Sequence, residues 1–375
     1  MKIEILKENL KTALLVCEKV IGKNLSLPIL NNVLIDAQDT FLGLVSTDLE
    51  SVIKFWVLTK IIKKGKVVVP AKFLSGFVSS LPNQKITLET MGEDLKLECG
   101  AIKTQVRGFN LEDFPIIPEF NNGDFLEVDN QLFLDGLGQI IDVASPSSTR
   151  PEISGIYLHF SKNTITIAAT DSFRLAEKHI TLAGPVKKEF SFILPQKPAR
   201  DIISILGGKE GLLKIFFSDN QVLFEFPMKE TAHPQAQITS RLIEGQYPNY
   251  QDIIPAKFKT RIVVAKDDFL SQIKTASLFS GKVNEVKISL NAEKHQMEIF
   301  SKSPDLGENI STMPIKIEGE SMDVSFNYKY LIDGLMQIKG SEVAFDLSKE
   351  EGPCILRPVG DASYIYMAMP IKSMQ

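Results

Sequence analysis

Two aspartates at matching positions come nearest to a chemical pattern in this sequence. Asp48 follows Ser46-Thr47, Asp171 follows Ala169-Thr170, and each closes a predicted pair of strands. Paired carboxylates can exchange protons in general acid–base catalysis. An aspartate at the end of a strand can instead cap a turn by accepting hydrogen bonds from backbone N–H groups. We favour the turn-capping role. A hydrolase or transferase that uses Asp171 and Arg174 in a cleft between domains is the enzymatic alternative.

Other residue types that commonly do chemistry are not spaced for it. The four histidines have no metal-ligand spacing, and His159 and His179 lie in strand patterns. The three cysteines are far apart and odd in number, which predicts reduced, buried thiols. The sequence has no phosphate-binding loop, and Gly136 and Gly138 lack the third glycine of a dinucleotide turn. These patterns favour a non-catalytic protein with no metal and no cofactor.

The composition is that of an ordinary globular protein. The chain has 375 residues, of which 44% are hydrophobic and 23% charged, so we expect two or three domains. No signal peptide and no apolar run of membrane-spanning length are visible, which predicts a cytoplasmic protein. The formal net charge of -4 argues against an ordinary nucleic-acid-binding domain, unless the positive charge is confined to one surface.

A strand–turn–helix pattern occurs three times along the chain. It reads Val-Val-Val-Pro-Ala-Lys at 67–72, Phe-Ile-Leu-Pro-Gln-Lys at 192–197 and, more loosely, Val-Ser-Phe-Asn-Tyr-Lys at 324–329. Proline suits the start of a helix because its missing N–H would have no partner there, and asparagine suits the N-cap. The copies are spaced by about one ordinary domain, so the repetition predicts three copies of one domain.

Each predicted domain has two helices and two groups of short strands. Two Ile-Ile-Pro triplets serve as the expected linkers, which gives domains at 1–120, 121–255 and 256–375. Each domain opens with a helix in this prediction, and apolar residues at helical spacing define both helices of every domain. The helices bury their apolar faces on antiparallel sheets, which makes the fold class α+β with three similar domains. The predicted helices cover residues 8–21, 73–81, 131–144, 199–206, 267–279 and 330–338.

Three further segments carry a family resemblance. They read Leu-Pro-Ile-Leu-Asn-Asn at 27–32, Thr-Asp-Ser-Phe-Arg-Leu at 170–175 and Tyr-Ile-Tyr-Met-Ala-Met-Pro-Ile at 364–371. With them, essentially the whole chain resembles the family of bacterial beta sliding clamps, the DNA polymerase III beta subunits. The resemblance implies the DNA clamp fold and a non-catalytic role in replication. It also implies a head-to-tail homodimer that closes a ring around duplex DNA and confers processivity.

The same resemblance implies a pocket between the second and third domains. This pocket would bind short linear motifs of the polymerase catalytic subunit, the clamp loader and repair proteins. Its leucine, isoleucine, proline and methionine side chains would form an apolar slot, in which methionine adapts to varied ligands, and Arg174 could meet a polar group of the peptide. Carried over position by position, the lining residues are Ile153, Thr170, Ser172, Phe173, Arg174, Leu175, Pro248, Ile253, Asn327, Tyr330, Met367, Met369, Pro370 and Ile371.

A ring threaded on DNA needs only moderate positive charge on its inner helices. Duplex DNA carries one negative charge per about 1.7 Å of its axis, and phosphate contacts do not read sequence. Lys72, Lys197 and Lys329 sit at equivalent places at the start of the second helices. The further candidates near helices or their loops are Lys11, Lys19, Lys23, Arg150, Arg200, Lys274 and Lys282.

Closure of such a ring requires the sheet edge of domain 1 to pair with that of domain 3 in the other copy. We expect these edges at residues 103–107 and near 296–301, with two phenylalanines packing behind. The predicted interface residues are Phe73, Phe77, Lys103, Thr104, Gln105, Arg107 and Glu298. A protein-interaction scaffold that never meets DNA is the remaining alternative.

Overall fold

The computed structural model describes residues 1–21, 27–117, 120, 125–145 and 149–371. Lys23, one of the predicted cationic residues, lies outside the described residues. The chain forms two compact units, Met1–Leu134 with Lys197–Leu242, and Asp135–Gln196 with Ile243–Gln375. Among the helices described, none is both long and apolar enough to cross a membrane. The three cysteines are free and buried, as predicted, and burial raises the pKa of Cys17 and Cys354 to about 12.

The described residues contain six α-helices, and all six correspond to helices predicted from the sequence. Their ends lie within four residues of the predicted ones. Asn327 is the N-cap of the sixth helix, where its side chain accepts a hydrogen bond from the backbone N–H of Lys329 at 3.0 Å. The helices are α1 Lys7–Cys17, α2 Ala71–Ser80, α3 Asn130–Ile140, α4 Gln196–Leu206, α5 Lys266–Ser277 and α6 Tyr328–Gln337.

The prediction that each domain opens with a helix is wrong. A strand of five or six residues precedes each first helix, at Lys2–Leu6, Phe125–Asp129 and Thr260–Ala265. The sequence of Lys2–Leu6 does show a strand pattern, because polar and apolar residues alternate in it. In the structure the apolar residues Ile3 and Ile5 are buried. Short strands are easily missed because their position in a sheet depends on partners far away in the sequence.

The first unit contains two antiparallel sheets. In the larger one, Ser51–Leu58 of the first predicted domain pairs with Pro234–Arg241 of the second. The five-stranded sheet has the order Lys60–Lys63, Lys2–Leu6, Lys85–Met91, Asp94–Cys99, Ile102–Val106. The eight-stranded sheet has the order Phe125–Asp129, Leu212–Phe217, Gln221–Pro227, Pro234–Arg241, Ser51–Leu58, Phe41–Thr47, Asn32–Gln38, Gly65–Pro70.

The second unit is built in the same way. Here Arg174–Thr181 of the second predicted domain pairs with Tyr364–Ala368 of the third. The nine-stranded sheet has the order Phe190–Pro195, Gly155–Ser161, Thr164–Thr170, Arg174–Thr181, Tyr364–Ala368, Cys354–Pro358, Glu342–Leu347, Thr260–Ala265, Lys316–Gly319. The four-stranded sheet has the order Gly307–Pro314, Gln296–Ser303, Glu285–Asn291, Met322–Asn327.

One backbone hydrogen bond recurs in all three predicted domains. The first residue of each first helix donates its N–H to the segment that follows the second helix. The donor and acceptor pairs are Lys7 and Gln84 at 3.3 Å, Asn130 and Gly211 at 2.9 Å, and Lys266 and Ser341 at 2.8 Å. This repetition supports the interpretation of the sequence as three copies of one domain.

The two predicted interface edges have different outcomes. The strand Ile102–Val106 lies at the end of its sheet, so residues 103–106 form an edge, and Arg107 lies just beyond it. The prediction of an edge near 296–301 is wrong, because Glu298 is paired with Ser289 on one side and Thr312 on the other. The edges of that sheet are Gly307–Pro314, next to the predicted strand, and Met322–Asn327. Alternating residues reveal a strand, but the order of strands depends on long-range pairing.

Candidate functional site

The turn at residues 170–174 is fixed by its own side chains. The hydroxyl of Thr170 donates to the carbonyl oxygen of Arg174 at 2.7 Å. Asp171 Oδ1 accepts hydrogen bonds from the N–H groups of Phe173 and Arg174, both at 2.9 Å. Ser172 has a φ of 77°, a left-handed conformation that costs energy in a residue other than glycine. The turn leaves the ring of Phe173 60% exposed.

A second turn of the same kind lies at residues 47–51. The hydroxyl of Thr47 donates to the carbonyl oxygen of Ser51 at 2.8 Å, and Leu49 has a φ of 76°. Asp48 Oδ1 accepts hydrogen bonds from the N–H groups of Glu50 and Ser51 at 3.2 and 2.7 Å. Both aspartates therefore cap turns, as the sequence predicted.

Arg174 is held by three oxygen acceptors. Its Nε donates to Asp171 Oδ2 at 2.9 Å, its Nη2 donates to the carbonyl oxygen of Asp142 at 3.0 Å, and its Nη1 donates to Asp333 Oδ2. The guanidinium carbon lies 5.0 Å from the centroid of the Tyr330 ring, within the range of a cation–π interaction. The sequence prediction did not include Asp333, although it lies three residues after Tyr330 on the same helix and such residues share a face.

The environment of Arg174 keeps its side chain charged. Only 12% of the side chain is exposed, and burial by itself lowers the pKa of Arg174 because it disfavours the charged form. The neighbouring Tyr366, Asp333 and Asp171 outweigh burial and raise the pKa of Arg174 above its usual value. The guanidinium is therefore a fixed cation against the half-buried ring of Tyr330.

Residues 369–371 of the third predicted domain lie against this turn, and their backbone is hydrogen-bonded both to the turn and to a strand of their own domain. The N–H of Met369 donates to the carbonyl oxygen of Phe173 at 2.8 Å, and the N–H of Ile371 donates to that of Ser325 at 2.8 Å. The rings of Phe173 and Tyr330 are nearly parallel, with centroids 6.5 Å apart. We call the partly exposed side chains of Phe173, Arg174, Tyr330, Met369, Pro370 and Ile371 the aromatic surface.

Three of the predicted lining residues belong to the core below this surface. Ile153, Leu175 and Met367 are buried in one hydrophobic cluster that includes Tyr247 and Tyr250. Their role in the structure is to support the surface. The other predicted residues near this cluster differ in exposure: Thr170 is buried, Pro248 is half-buried and Ile253 is 53% exposed.

Arg150 lies at the turn 170–174. Its Nη1 donates to the Ser172 hydroxyl at 3.0 Å, and its Nε donates to Glu152 at 3.2 Å. The sequence prediction assigned Arg150 to the DNA-facing set, and this contact gives that assignment no support. The structure instead brings Arg150 to the edge of the aromatic surface.

The three equivalent lysines are the second residues of α2, α4 and α6, and all three are exposed. Lys197 differs from Lys72 and Lys329, because its ammonium binds Asp48 at 3.0 Å and Asp201 at 3.3 Å. Burial works against the charge of Lys197, but the two carboxylates outweigh it and raise its pKa. Of the remaining candidates, Lys11 is half-buried, and Lys19, Arg200, Lys274 and Lys282 are exposed.

Comparison with known proteins identifies the family that this chain resembles. Three domain models of the DNA polymerase III beta subunit match the chain, the N-terminal domain at residues 1–118, the central domain at 127–249 and the C-terminal domain at 251–372. The chain is 27% identical over 380 residues to the beta sliding clamp of Synechococcus elongatus, covering 99% of each protein. It is 26% identical over 385 residues to that of Bacillus subtilis, covering 100% of each.

Solved structures agree with the sequence comparison. The DNA polymerase sliding clamp from Bacillus subtilis superposes with a TM-score of 0.93 at 26% identity, covering 100% of this chain and 99% of that one. The DNA polymerase III beta subunit from Thermotoga maritima gives 0.90 at 25% identity, with 99% of each chain covered.

The fold is thus that of a DNA clamp, with three domains that each combine helices and sheets. The chain belongs to the DNA polymerase III beta subunit family. Its function is that of a non-catalytic sliding clamp, which rules out the enzymatic alternative and the scaffold that never meets DNA. The domain boundaries at 120 and 255 remain predictions.

Proposed function

We propose that two copies of the chain close a head-to-tail ring around duplex DNA in the cytoplasm. The ring would confer processivity by holding the polymerase catalytic subunit, and in turn the clamp loader and repair proteins, through short linear motifs that bind the aromatic surface. The observation that carries the proposal is the segment 369–371, which is hydrogen-bonded to the carbonyl oxygens of both Phe173 and Ser325 and so joins the turn to the strand that precedes α6. A surface fixed before binding loses little conformational freedom when a peptide docks.

The chemistry of the aromatic surface suits a short peptide with apolar side chains. Phe173, Met369 and Ile371 offer apolar contact area, and methionine can adapt to ligands of different shape. Arg174 retains N–H groups beyond the three that its acceptors occupy, because a guanidinium has five. A clamp from Pseudomonas aeruginosa, which has the same fold with a TM-score of 0.93 at 22% identity, has been solved bound to griselimycin. We propose griselimycin as a probe, and the Phe173→Ala variant tests whether it binds at this surface.

Two sheet edges are available for closing the ring. Ile102–Val106 in the first unit and Gly307–Pro314 in the second each have one side without a strand partner in the described structure. Exposed apolar side chains lie on or next to them, at Ile102, Leu306 and Ile310. Unpaired edges tend to pair with another chain, and head-to-tail contacts close when the rotation closes. We propose that these two edges pair between copies, with Phe73, Phe77, Lys103, Thr104, Gln105 and Arg107 at the contact.

Retention on circular DNA tests the ring. The purified chain should behave as a dimer in size-exclusion chromatography with light scattering. After loading onto a nicked circular plasmid by a clamp loader, it should stay bound at a salt concentration that weakens phosphate contacts. Cutting the plasmid once should then release it, because a ring slides off a free end. Equal retention on circular and linear DNA would contradict encirclement, as would a chain that remains a monomer.

A further inference from the structure

Asp333 and Asp171 approach Arg174 from two different domains of the second unit. Asp171 belongs to the turn that carries Phe173, whereas Asp333 lies on α6, which carries Tyr330. Arg174 lies between the two carboxylates, with Asp333 bonded to Nη1 and Asp171 to Nε. The single guanidinium therefore connects the turn that carries Phe173 to the helix that carries Tyr330.

The first unit contains the same pair of carboxylates around a different cation. Asp48 is the second residue of its turn, as Asp171 is, and Asp201 follows Lys197 by four positions, as Asp333 follows Lys329. Here the ammonium of Lys197 is bound by Asp48 and Asp201 at 3.0 and 3.3 Å. The two-carboxylate arrangement is thus part of the repeated architecture. In the second unit the bound cation comes from the turn and lies against the half-buried ring of Tyr330.

We propose that Asp333 is a positioning residue of the aromatic surface, an inference that rests on the peptide-binding function proposed above. It acts through Arg174, whose Nη1 it holds so that the guanidinium stays against the ring of Tyr330. Without the Asp333 carboxylate, Arg174 is a largely buried cation with one anionic partner in place of two. The guanidinium can then turn away from the Tyr330 ring, and the surface is no longer fixed before the peptide arrives.

Calorimetry and surface plasmon resonance with griselimycin as the probe test this role in the full-length chain. Phe173→Ala removes an exposed ring and establishes that the probe binds the aromatic surface. Asp333→Asn keeps the side-chain shape but removes the charge, and it should weaken binding about tenfold, mainly through faster dissociation. Asp333→Glu restores the charge and should recover part of the affinity.

A double-mutant cycle separates positioning from direct contact. If Asp333 acts through Arg174, then Asp333→Asn should cause no further loss of affinity in a chain that already carries Arg174→Gln. Additive losses would show that Asp333 touches the probe itself and would overturn the proposal. Asp201→Asn is the matched control, because it breaks the corresponding arrangement in the first unit and should leave the affinity for griselimycin unchanged.

The outcomes distinguish this inference from the function on which it rests. A wild-type chain that fails to bind griselimycin, or that binds it equally well after Phe173→Ala, contradicts the proposed binding surface itself. A wild-type chain that binds at this surface, together with an Asp333→Asn variant of the same affinity, overturns only the positioning role. Thermal unfolding of each variant confirms that the chain is folded in every comparison.

Discussion

Glu177 is a buried carboxylate that anchors the segment carrying Pro248 through a hydrogen-bond network. It is 7% exposed, accepts a hydrogen bond from the Tyr250 hydroxyl and lies 2.9 Å from His179 Nε2. His179 Nδ1 lies 3.1 Å from the hydroxyl of Thr166. Burial works to raise the pKa of Glu177, but the hydrogen bonds from His179 and Tyr250 outweigh it and hold that pKa below its usual value. The ionised carboxylate is therefore the form that the folded chain favours.

This network predicts a pH-dependent stability. A carboxylate with a depressed pKa in the folded state stabilises the fold above its unfolded pKa of about 4.3, and the stabilisation is lost as the pH falls through the folded pKa. Glu177→Gln should cost about 1–3 kcal/mol at about pH 7, and its difference from wild type should shrink below about pH 4. Thermal unfolding followed by circular dichroism, repeated across a pH series, measures the destabilisation and its dependence on pH.

The exposed Glu293 provides the control for this pH series. Glu293→Gln makes the same chemical change outside any buried network, so it should shift the unfolding midpoint little at any pH. A difference between Glu177→Gln and wild type that stays constant or grows on acidification would show that the charge of Glu177 is not what stabilises the network.

At the scale of elements, helix periodicity is a local signal and sheet order is not. All six helices follow from apolar residues three and four positions apart, and the N-cap of α6 follows from Asn327. The strand order that makes Gly307–Pro314 an edge depends on pairing between distant segments. The contact between Arg174 and Asp333 joins residues 159 positions apart, which no local pattern indicates. The lining residues were therefore predicted from the family resemblance, whereas the Asp333 carboxylate that binds Arg174 was missed.

The close approach of α6 to the sheet depends on Gly334. A Cβ added there would lie 2.5 Å from Cδ1 of Tyr366, which is fully buried. Gly334→Ala should therefore destabilise the chain by about 1–3 kcal/mol through overpacking, although alanine is favoured over glycine in helices by about 1 kcal/mol. Denaturant unfolding measures whether the free energy of unfolding falls or rises in the variant. Because α6 carries Tyr330 and Asp333, the affinity for griselimycin should fall as well.

Gly76 in α2 is the matched control, since a Cβ there meets no atom within 4 Å. Gly76→Ala should stabilise the chain by about 0.5–1 kcal/mol, as expected for an open helix position. The two substitutions are chemically identical, so opposite signs isolate the contact with Tyr366. A Gly334→Ala variant at least as stable as wild type would mean that α6 can shift without cost.

At the scale of the whole molecule, the chain carries a net negative charge, as does the DNA on which a sliding clamp acts. With a net charge of -4, phosphate contact depends on cations that are gathered on one surface. Lys197 and Lys329 hold equivalent positions but differ in availability. Lys197 is bound by Asp48 and Asp201, whereas Lys329 makes no ion pair in the part of the chain that the structure describes. The structure thus predicts that Lys329 is more available for phosphate contact than Lys197, a difference that the sequence pattern does not show.

This ranking predicts different salt dependences for two otherwise identical substitutions. Removing one lysine–phosphate interaction should reduce the slope of log affinity against log salt by about 0.9 for duplex DNA. Lys329→Gln should show such a reduction with a short linear duplex, measured by fluorescence anisotropy across a salt series. Lys197→Gln should change the slope less and instead lower the unfolding midpoint, because it leaves Asp48 and Asp201 without their cation. Equal reductions of the slope would show that the two carboxylates do not withhold Lys197 from the phosphates.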